Sequence, residues 1–256
     1  MMLNGPFPIE DRVNLGALLY SKHYEIVTEP GRVERLRGVL AEYLPTIGKS
    51  APRVLDMGCG VGQFTHWLQA AGYEVLGIDR SAEMLAEAKR RFPEVRYVNS
   101  NIKYYEDHDI NLITCLGETL NYLESSSELY IALSRFACNL CDGGRLVAEL
   151  LDPQDLSVGW ANSTRLYTLD GGWLAIFDHA NLGENRGRWT TRWLRRQPPS
   201  PVVESFINII DIKTWYPSEI VEAARDCGFC RAEVIDLARG GPAREGTISQ
   251  LLIATK

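Results

Sequence analysis

Apolar residues in the central part of the chain follow two alternating patterns. Short β-branched or apolar runs, typical of buried strands, cover residues 53–56, 74–79, 95–99, 110–116 and 145–151. Between these runs, apolar residues recur at helical spacing over residues 63–71, 82–91 and 126–140. Strands that alternate with helices pair in parallel through right-handed crossovers. The pattern therefore predicts a doubly wound α/β fold with a mostly parallel sheet.

Two regions of the chain differ from this pattern. Residues 1–48 carry helical spacing that is interrupted at Glu29-Pro30-Gly31, which predicts two helical pieces that form a lid. Residues 153–213 contain strand-like segments separated by turn residues such as Asp170-Gly171-Gly172. They predict an antiparallel β insert that caps the substrate.

The remaining residues, 49–152 and 214–256, form the predicted core. Its second part begins with a helix at Pro217, which Ser218 is expected to cap. Strand-like runs at 231–237 and 247–255 follow this helix and complete the core.

Composition narrows the range of partners. The chain has 256 residues, 45% of them hydrophobic, with no uninterrupted apolar stretch long enough for a membrane span and no apolar signal segment at its start. Its formal net charge of -6, without a cluster of basic residues, gives no electrostatic basis for binding nucleic acid. We therefore expect a cytoplasmic protein that acts on a small molecule, without a nucleic-acid or membrane partner. A homodimer is left open.

Four of the six cysteines stand in two pairs, Cys138-x-x-Cys141 and Cys227-x-x-Cys230, with the spacing of a split zinc site. Both pairs fall at predicted helix ends beside glycines, and not on the tight turn that zinc ribbons use. This context favours four small side chains that pack against the sheet with their thiols reduced. We expect no metal.

Three glycines, Gly58, Gly60 and Gly62, follow a predicted buried strand that ends at Asp56 and precede a helix. Glycine at such a turn permits positive φ and lets the backbone approach a ligand. The dinucleotide fingerprint needs its third glycine where Gln63 stands, so a nicotinamide-dependent oxidoreductase is the weaker alternative. Asp79, at the end of the next predicted strand, stands where an acidic side chain accepts the hydroxyls of a ribose.

Asp56, the glycines, Asp79 and a third strand that ends at Asn99-Ser100-Asn101 together resemble the class I S-adenosylmethionine-dependent methyltransferases. The resemblance covers residues 53–151 and the chain from residue 217 onward. It implies a seven-stranded, mostly parallel Rossmann-like sheet and S-adenosyl-L-methionine as the cofactor.

The resemblance also implies a role for individual residues. The glycine loop, including Cys59, would lie against the methionine part of the cofactor, Asp56 would organise the loop and the methionyl ammonium, and Asp79 would bind the ribose. The other implied contacts are Arg80 and Met84 beside the adenine, Asn101 and Ile102 at its amino group, and Leu116 near the transferring methyl group. Asn101 replaces the usual aspartate of the family, but its amide oxygen can still accept a hydrogen bond from the adenine amine.

Residues 110–123 resemble the small-molecule branch of this family, in particular the glycine-type and amino-sugar N-methyltransferases, which also carry an antiparallel insert. The Asn-Pro-Pro-aromatic tetrapeptide of nucleic-acid and protein methyltransferases is absent, because Cys115-Leu116-Gly117-Glu118 stands in its place. The resemblance thus implies a small-molecule acceptor, with a nitrogen slightly favoured over an oxygen or a carbon. A protein that binds the cofactor without catalysis is a further alternative.

A methyl-accepting amine must be neutral when it attacks, and a carboxylate or imidazole within hydrogen-bond reach can take its proton. Positioning alone can supply most of the rate, so a base is optional. Our catalytic candidates are Glu118, His179 and Tyr20, and our candidates for acceptor binding are Tyr24, Asn121 and Tyr122. A first-turn helix charge explains Glu118 as well, and packing in the insert explains His179.

The insert also holds most of the tryptophans and several arginines. The tryptophans are Trp160, Trp173, Trp189, Trp193 and, just beyond the insert, Trp215. They can wall an apolar or cationic pocket or form the insert's own core. The arginines are Arg186, Arg188, Arg192, Arg195 and Arg196. They can hold a diphosphate or cover a solvated strand face.

Overall fold

The computed structural model describes residues 18–24, 32–48, 50–153, 156, 163–196, 203–237, 243 and 249–256. Residues 18–22 are helical, and the longer helices are α1 (Arg32–Leu40), α2 (Gln63–Ala70), α3 (Ala82–Arg91), α4 (Ser126–Asn139) and α5 (Pro217–Asp226). The strands are β1 (Arg53–Met57), β2 (Glu74–Asp79), β3 (Arg96–Asn99), β4 (Ile110–Cys115), β5 (Leu140–Leu151), β6 (Thr164–Leu169), β7 (Trp173–Gly183), β8 (Arg186–Arg196), β9 (Val203–Lys213), β10 (Arg231–Asp236) and β11 (Ser249–Thr255). Short 3-10 helices cover Thr119–Tyr122 and Asp170–Gly172.

The core is a seven-stranded sheet in the order β10-β11-β5-β4-β1-β2-β3. Strands β1 to β5 pair in parallel, and β11 runs antiparallel to both of its neighbours. This arrangement confirms the predicted doubly wound α/β class. The chain order reverses between β1 and β4, and ligands bind outside the carboxyl ends of the strands at such a switch point.

Both faces of the sheet are covered. Val54 of β1 packs in one cluster with Leu40 of α1 and Leu68 of α2, whereas the next residue, Leu55, packs in the opposite cluster with Phe136 of α4. Successive strand residues face opposite sides, so a strand that is apolar throughout needs two helical layers. Because α1 belongs to one of these layers, this part of the predicted lid packs as a layer of the core.

The insert is a separate antiparallel sheet in the order β6-β7-β8-β9, as the turn residues predicted. Its inner face is buried, because Trp173, Ala175 and Phe177 of β7 pack with Leu19 and Tyr20 from the N-terminal helical segment. Residues 18–24 therefore lie against the insert, which is where the predicted lid and cap meet.

One buried amide joins the insert to the core. The Asn121 side chain is fully buried, its Nδ2 donates to the Lys213 carbonyl at 2.8 Å, and its Oδ1 accepts from the Leu151 N–H at 3.0 Å. Leu151 ends β5 and Lys213 ends β9, so this amide fixes both ends of the insert relative to each other.

Three local predictions were wrong. The cap of α5 is Tyr216 and not Ser218, because Pro217 is the first helical residue and the Tyr216 N–H donates to Glu219 Oε2 at 2.9 Å. Strand β5 begins at Leu140, directly after α4, so no loop separates the two.

The third concerns the cysteines, because Cys138 and Cys230 are exposed and do not pack against the sheet. Within the described residues, no three His, Cys, Asp or Glu side chains come together in a way that could hold a metal ion. No helix in the described part of the chain is long and apolar enough to span a membrane.

Candidate active site

The Asp56 side chain connects β1, α2 and β4 beneath the glycine loop, which is defined as residues 58–62. Its carboxylate is 2% exposed and accepts hydrogen bonds from Thr65 Oγ1 of α2 at 2.7 Å and from Thr114 Oγ1 of β4 at 2.8 Å. Burial raises the pKa of Asp56 to about 6, although the two hydroxyl donors lower it. Asp56 thus links β1 to α2 and β4 through two threonines, while its predicted role in organising the loop and a contact with a ligand ammonium stay predictions.

The three glycines of the loop all have left-handed φ angles, of +78°, +54° and +77° for Gly58, Gly60 and Gly62. A Cβ atom on Gly58 would lie 2.2 Å from Thr119 Oγ1, and one on Gly62 would lie 2.3 Å from Tyr97 Oη. A Cβ on Gly60 would meet nothing within 4 Å. The outer glycines therefore fit their neighbours, and the middle one faces open space that a ligand can fill.

Asp79 lies against the middle of this loop. Its Oδ2 accepts from the Gly60 N–H at 2.9 Å, and its Oδ1 accepts from the Ser81 N–H at 2.8 Å. Burial raises the pKa of the Asp79 carboxyl, and these two backbone donors lower it. The Arg80 backbone N–H also lowers this pKa. An ionised carboxylate offers about four acceptor sites, so Asp79 keeps some capacity to accept from a ribose hydroxyl. The open space at Gly60 and this remaining capacity of Asp79 fit a nucleoside-containing cofactor.

Three other predicted cofactor residues, Arg80, Met84 and Cys59, differ in how far their side chains are buried. Arg80 is exposed, whereas Met84 is partly buried beside the aromatic cluster that contains Tyr20. The Cys59 thiol turns under the loop, where its Sγ would lie 2.9 Å from a Cβ on Gly77, and burial raises its pKa. Any contact of Cys59 with a ligand therefore involves its backbone.

Asn101 and Ile102 follow β3. Asn101 Oδ1 accepts from the Lys103 N–H at 2.9 Å, which leaves one acceptor site on this oxygen. Ile102 is nearly buried and packs in the main core cluster with Ile78. Their contacts with an adenine stay predictions.

A strained turn follows β4 on the other side of the switch point. Gly117 has φ +69°, and Glu118, which is not a glycine, is also left-handed at φ 54° and ψ 29°. Such a conformation costs about 1–3 kcal/mol and occurs preferentially at functional sites. The Gly117 N–H donates to Oε2 of the buried Glu149 at 2.9 Å, and the Leu116 carbonyl accepts from Thr119 Oγ1 at 2.7 Å. We call Gly117 and Glu118 the β4 turn.

Four rings connect the β4 turn to the insert. A Cβ on Gly117 would lie 3.9 Å from Tyr24 Oη. Tyr24 meets Tyr20 edge to face with ring centroids 5.7 Å apart, Tyr20 meets Trp189 in the same way at 5.7 Å, and Trp189 lies 5.6 Å from His179. We call these four rings the aromatic row. The structure thus connects Tyr20, Tyr24 and His179 in one row, with Tyr24 beside the β4 turn and His179 at the opposite end.

His179 occupies a partly buried position at the far end of the row. The Ser163 hydroxyl and His179 Nδ1 are 3.1 Å apart, and the backbone N–H of His179 donates to the Ser163 carbonyl at 3.0 Å. Burial lowers the pKa of His179, and the nearby Arg165 lowers it further. The imidazole is therefore neutral near pH 7 and able to accept a proton.

Asn121 and Tyr122 do not join the aromatic row. The Asn121 amide is used by the bonds to Leu151 and Lys213 described above, and Tyr122 packs against a small cluster that contains Leu151 and Ile212. These contacts give both residues a structural role at the junction of core and insert, and acceptor binding by either stays a prediction.

The tryptophans were expected either to wall a pocket or to form the core of the insert, and the arginines either to hold a diphosphate or to cover a solvated strand face. Trp193 and Trp173 belong to the buried core of the insert, Trp189 belongs to the aromatic row, Trp215 packs in the main core, and Trp160 lies outside the described residues. Three arginines pair with carboxylates: Arg188 with Asp211 at 2.6 Å, Arg195 with Glu204 at 2.8 Å, and Arg192 with Asp178. These pairs favour the solvated strand face over a diphosphate site for these three residues.

Several residues of the site were missed by the sequence analysis. Thr114 and Glu149 are polar residues inside otherwise apolar strand runs, and this is the signal that could have identified them. Thr65 and Thr119 carry no such signal, because their roles depend on which loops the fold brings together.

Comparison with known proteins agrees with this geometry. A family model described as a methyltransferase domain matches residues 54–144, which include the glycine loop, Asp79 and the β4 turn. A dTDP-3-amino-3,4,6-trideoxy-alpha-D-glucopyranose N,N-dimethyltransferase of Streptomyces venezuelae is 25% identical over 210 residues, which are 81% of this chain and 86% of that protein. The spacing of the glycines therefore reflects a methyltransferase cofactor and not a nicotinamide dinucleotide.

Two further comparisons concern a partial sequence match and a match of the whole fold. A trans-aconitate 2-methyltransferase of Methylobacterium nodulans is 34% identical over 115 residues, which are 44% of this chain and 43% of that protein. The solved structure of a sugar N-methyltransferase from a Streptoalloteichus species superposes with a TM-score of 0.74 at 19% identity and covers 100% of this chain and 96% of that one. The first similarity is confined to part of the chain, and the second extends the agreement in fold to the insert.

Proposed function

We propose that this chain, an S-adenosyl-L-methionine-dependent methyltransferase, transfers the methyl group to the amine nitrogen of an amino sugar. The observation that carries the proposal is the position of the β4 turn. Thr119, next to this turn, touches Gly58 of the glycine loop, and Tyr24 of the aromatic row lies beside Gly117. The turn is therefore the place where a cofactor on the core and an acceptor under the insert meet.

On the cofactor side, the glycine loop, Asp79 and Met84 are the residues that would hold S-adenosyl-L-methionine. This cofactor supplies a methyl group on a sulfonium centre, which is already a good leaving group. Asp56 links β1, at the start of the loop, to α2 and β4 through Thr65 and Thr114, and Asp79, which already accepts from the Gly60 N–H, would accept a further hydrogen bond from the ribose.

On the acceptor side, Glu118 holds the amine and takes its proton, since the nitrogen must present its lone pair to the methyl group. The left-handed conformation of Glu118 fixes the backbone from which this carboxylate projects. Tyr24 and Tyr20 exclude water and orient the sugar ring, because ring faces and edges stack well on the apolar face of a sugar. The relative from Streptomyces venezuelae supports this choice of acceptor by its name.

A second candidate is transfer to a carboxylate oxygen, which the partial similarity to a trans-aconitate 2-methyltransferase supports. A carboxylate needs no base, so this function would leave Glu118 without a chemical role. The insert also argues for the amino sugar, since the superposition that includes it is with a sugar N-methyltransferase.

The test is a methyl-transfer assay with S-adenosyl-L-methionine and three groups of acceptors: dTDP-linked amino sugars, the matching sugars with a hydroxyl in place of the amine, and trans-aconitate. We expect the mass of one or two methyl groups to be added only to the amino sugars. Transfer to trans-aconitate or to the hydroxyl sugars, with none to the amines, would overturn the proposal.

A further inference from the structure

Arg188, Arg192 and Arg195 of the insert form ion pairs with carboxylates. A further arginine on the inner face of the insert, Arg165, forms none with the described residues. Arg165 lies on β6, directly opposite Phe177 of β7 in the antiparallel register. Cross-strand partners point to the same side of a sheet. Arg165 therefore shares the inner face with Phe177 and with His179, two residues further along β7.

The Arg165 side chain forms no ion pair with any residue that the structure describes. It is exposed, and no carboxylate in the described part of the chain pairs with it. Among the described strands of the insert, the register places one carboxylate on the inner face, Glu204, and Arg195 already binds it. Within the described residues the positive charge of Arg165 is therefore not paired, and it lowers the pKa of the His179 imidazole, which the nearby Asp178 raises.

An arginine with unused donors beside an imidazole is suited to bind phosphate, because the planar guanidinium matches two phosphate oxygens at once. A carboxylate could be bound by the same groups. The two are distinguished by the two rings, Tyr20 and Trp189, that lie between Tyr24 and His179 in the aromatic row. Three ring-to-ring steps of 5.6–5.7 Å along the aromatic row separate Tyr24, beside that turn, from His179. An extended acceptor fits this separation better than a compact dicarboxylate does.

We infer that Arg165 and His179 form an anion subsite on the inner face of the insert, and that this subsite binds a phosphate group of the methyl acceptor. The inference rests on the proposed function and specifies its substrate class: an amino sugar that carries a phosphate or a diphosphate, with its amine at the β4 turn and its phosphate at Arg165. The three ion-paired arginines take no part in it.

The experiment compares Arg165→Met with Arg188→Met in the full chain. Methionine keeps much of the arginine stem and removes the charge, and Arg188 offers a matched control because it is an exposed arginine of the same insert that is already paired. Binding of dTDP is measured by calorimetry in a phosphate-free buffer. We expect Arg165→Met to weaken dTDP binding at least about tenfold, since it removes the charge-assisted hydrogen bonds to the phosphate. Arg188→Met should stay within about twofold of the wild type.

KM values, an Arg165→Lys variant and thermal unfolding show whether the loss of binding is specific to the phosphate. The KM for a dTDP-linked amino sugar should rise in Arg165→Met, while the KM for S-adenosyl-L-methionine and the KM for the free amino sugar stay the same. Arg165→Lys should recover part of the loss, because it restores the charge without the planar fork. Unchanged thermal unfolding of each variant excludes a folding defect.

Equal dTDP affinity in Arg165→Met and the wild type would overturn the inference, and so would a wild type that does not bind dTDP. Binding of trans-aconitate in an Arg165-dependent way, without binding of dTDP, would also overturn it in favour of a carboxylate. If dTDP binds through Arg165 but no amino sugar is methylated, the subsite stands and the proposed function fails.

Discussion

At the cofactor edge of the core, carboxylates and backbone groups meet at hydrogen-bond distance, whereas the insert faces the same site with rings that touch through their edges. Asp79 bonds to the Gly60 N–H at 2.9 Å, while Tyr20 and Trp189 are 5.7 Å apart between centroids. Hydrogen bonds depend steeply on distance and angle, and ring contacts tolerate small shifts. The core edge is therefore built to recognise one ligand, and the insert side can be adapted to different acceptors.

The largest effect should follow from the loss of the Asp79 carboxylate, because it ends both the contact with the glycine loop and the acceptor sites for a ribose. We expect Asp79→Ala to weaken binding of S-adenosyl-L-methionine about a hundredfold, as for the loss of two charge-assisted hydrogen bonds. Calorimetric titration measures this, with Asp211→Ala in the insert as the control. Unaltered affinity in Asp79→Ala would remove the cofactor from this edge.

The two kinds of glycine in the loop should separate folding from binding. Gly58→Ala should lower the free energy of unfolding by about 2–3 kcal/mol, because its Cβ meets Thr119 and its φ is positive. Gly60→Ala should cost only about 1 kcal/mol, from φ alone, yet it should weaken cofactor binding, because its Cβ enters open space that the ligand fills. Chemical denaturation and cofactor titration of both variants test this. Equal losses of stability would show that Gly60 also serves packing.

A smaller effect is expected on the acceptor side. Glu118→Gln keeps the shape of the side chain and removes its ability to take a proton, so kcat should fall about tenfold while cofactor affinity is unchanged. Glu124→Gln, at an exposed position a few residues further on, is the matched control. If the wild type and Glu118→Gln have the same kcat at every pH, positioning by the aromatic row suffices and no base is used.

A final prediction concerns the pH dependence of stability. Asp56 has a folded-state pKa of about 6, above the value of 3.8 expected for an unfolded chain. Between these values the folded state binds more protons than the unfolded state, so stability falls as the pH rises from about 4 to 6. Asp56→Asn should remove this part of the slope, which is at most about 1.4 kcal/mol per pH unit. Urea denaturation at several pH values measures it, and an identical slope in both proteins would contradict the assignment.

The sequence predicted the core edge better than the acceptor side, for a physical reason. Asp56, the glycines and Asp79 are neighbours through two adjacent strands, so local spacing is enough to place them. His179 and Tyr24 come together only because an antiparallel sheet and a distant helical segment pack on each other. Spacing along the chain carries no information about such a contact.

Two further differences follow from the same limit. The amide of Asn121 joins β5 and β9, and nothing in its sequence neighbourhood indicates a partner ninety residues away; its predicted contact with the acceptor stays a prediction. The sequence analysis singled out the arginines of β8, but strand alternation and cross-strand carboxylates decide which arginines are paired, and Arg165 of β6, which was not singled out, is the inner-face arginine without an ion pair among the described residues.

The bonds of Asn121 have one more consequence, which concerns how such a protein can change over time. The chain leaves the core at Leu151 and returns at Lys213, and a single side chain reaches both points. A segment whose ends lie this close can be lengthened, shortened or exchanged without a change in the pairing of β5 with β11. Natural variation can thus replace the whole insert as one unit while the seven-stranded core is inherited unchanged.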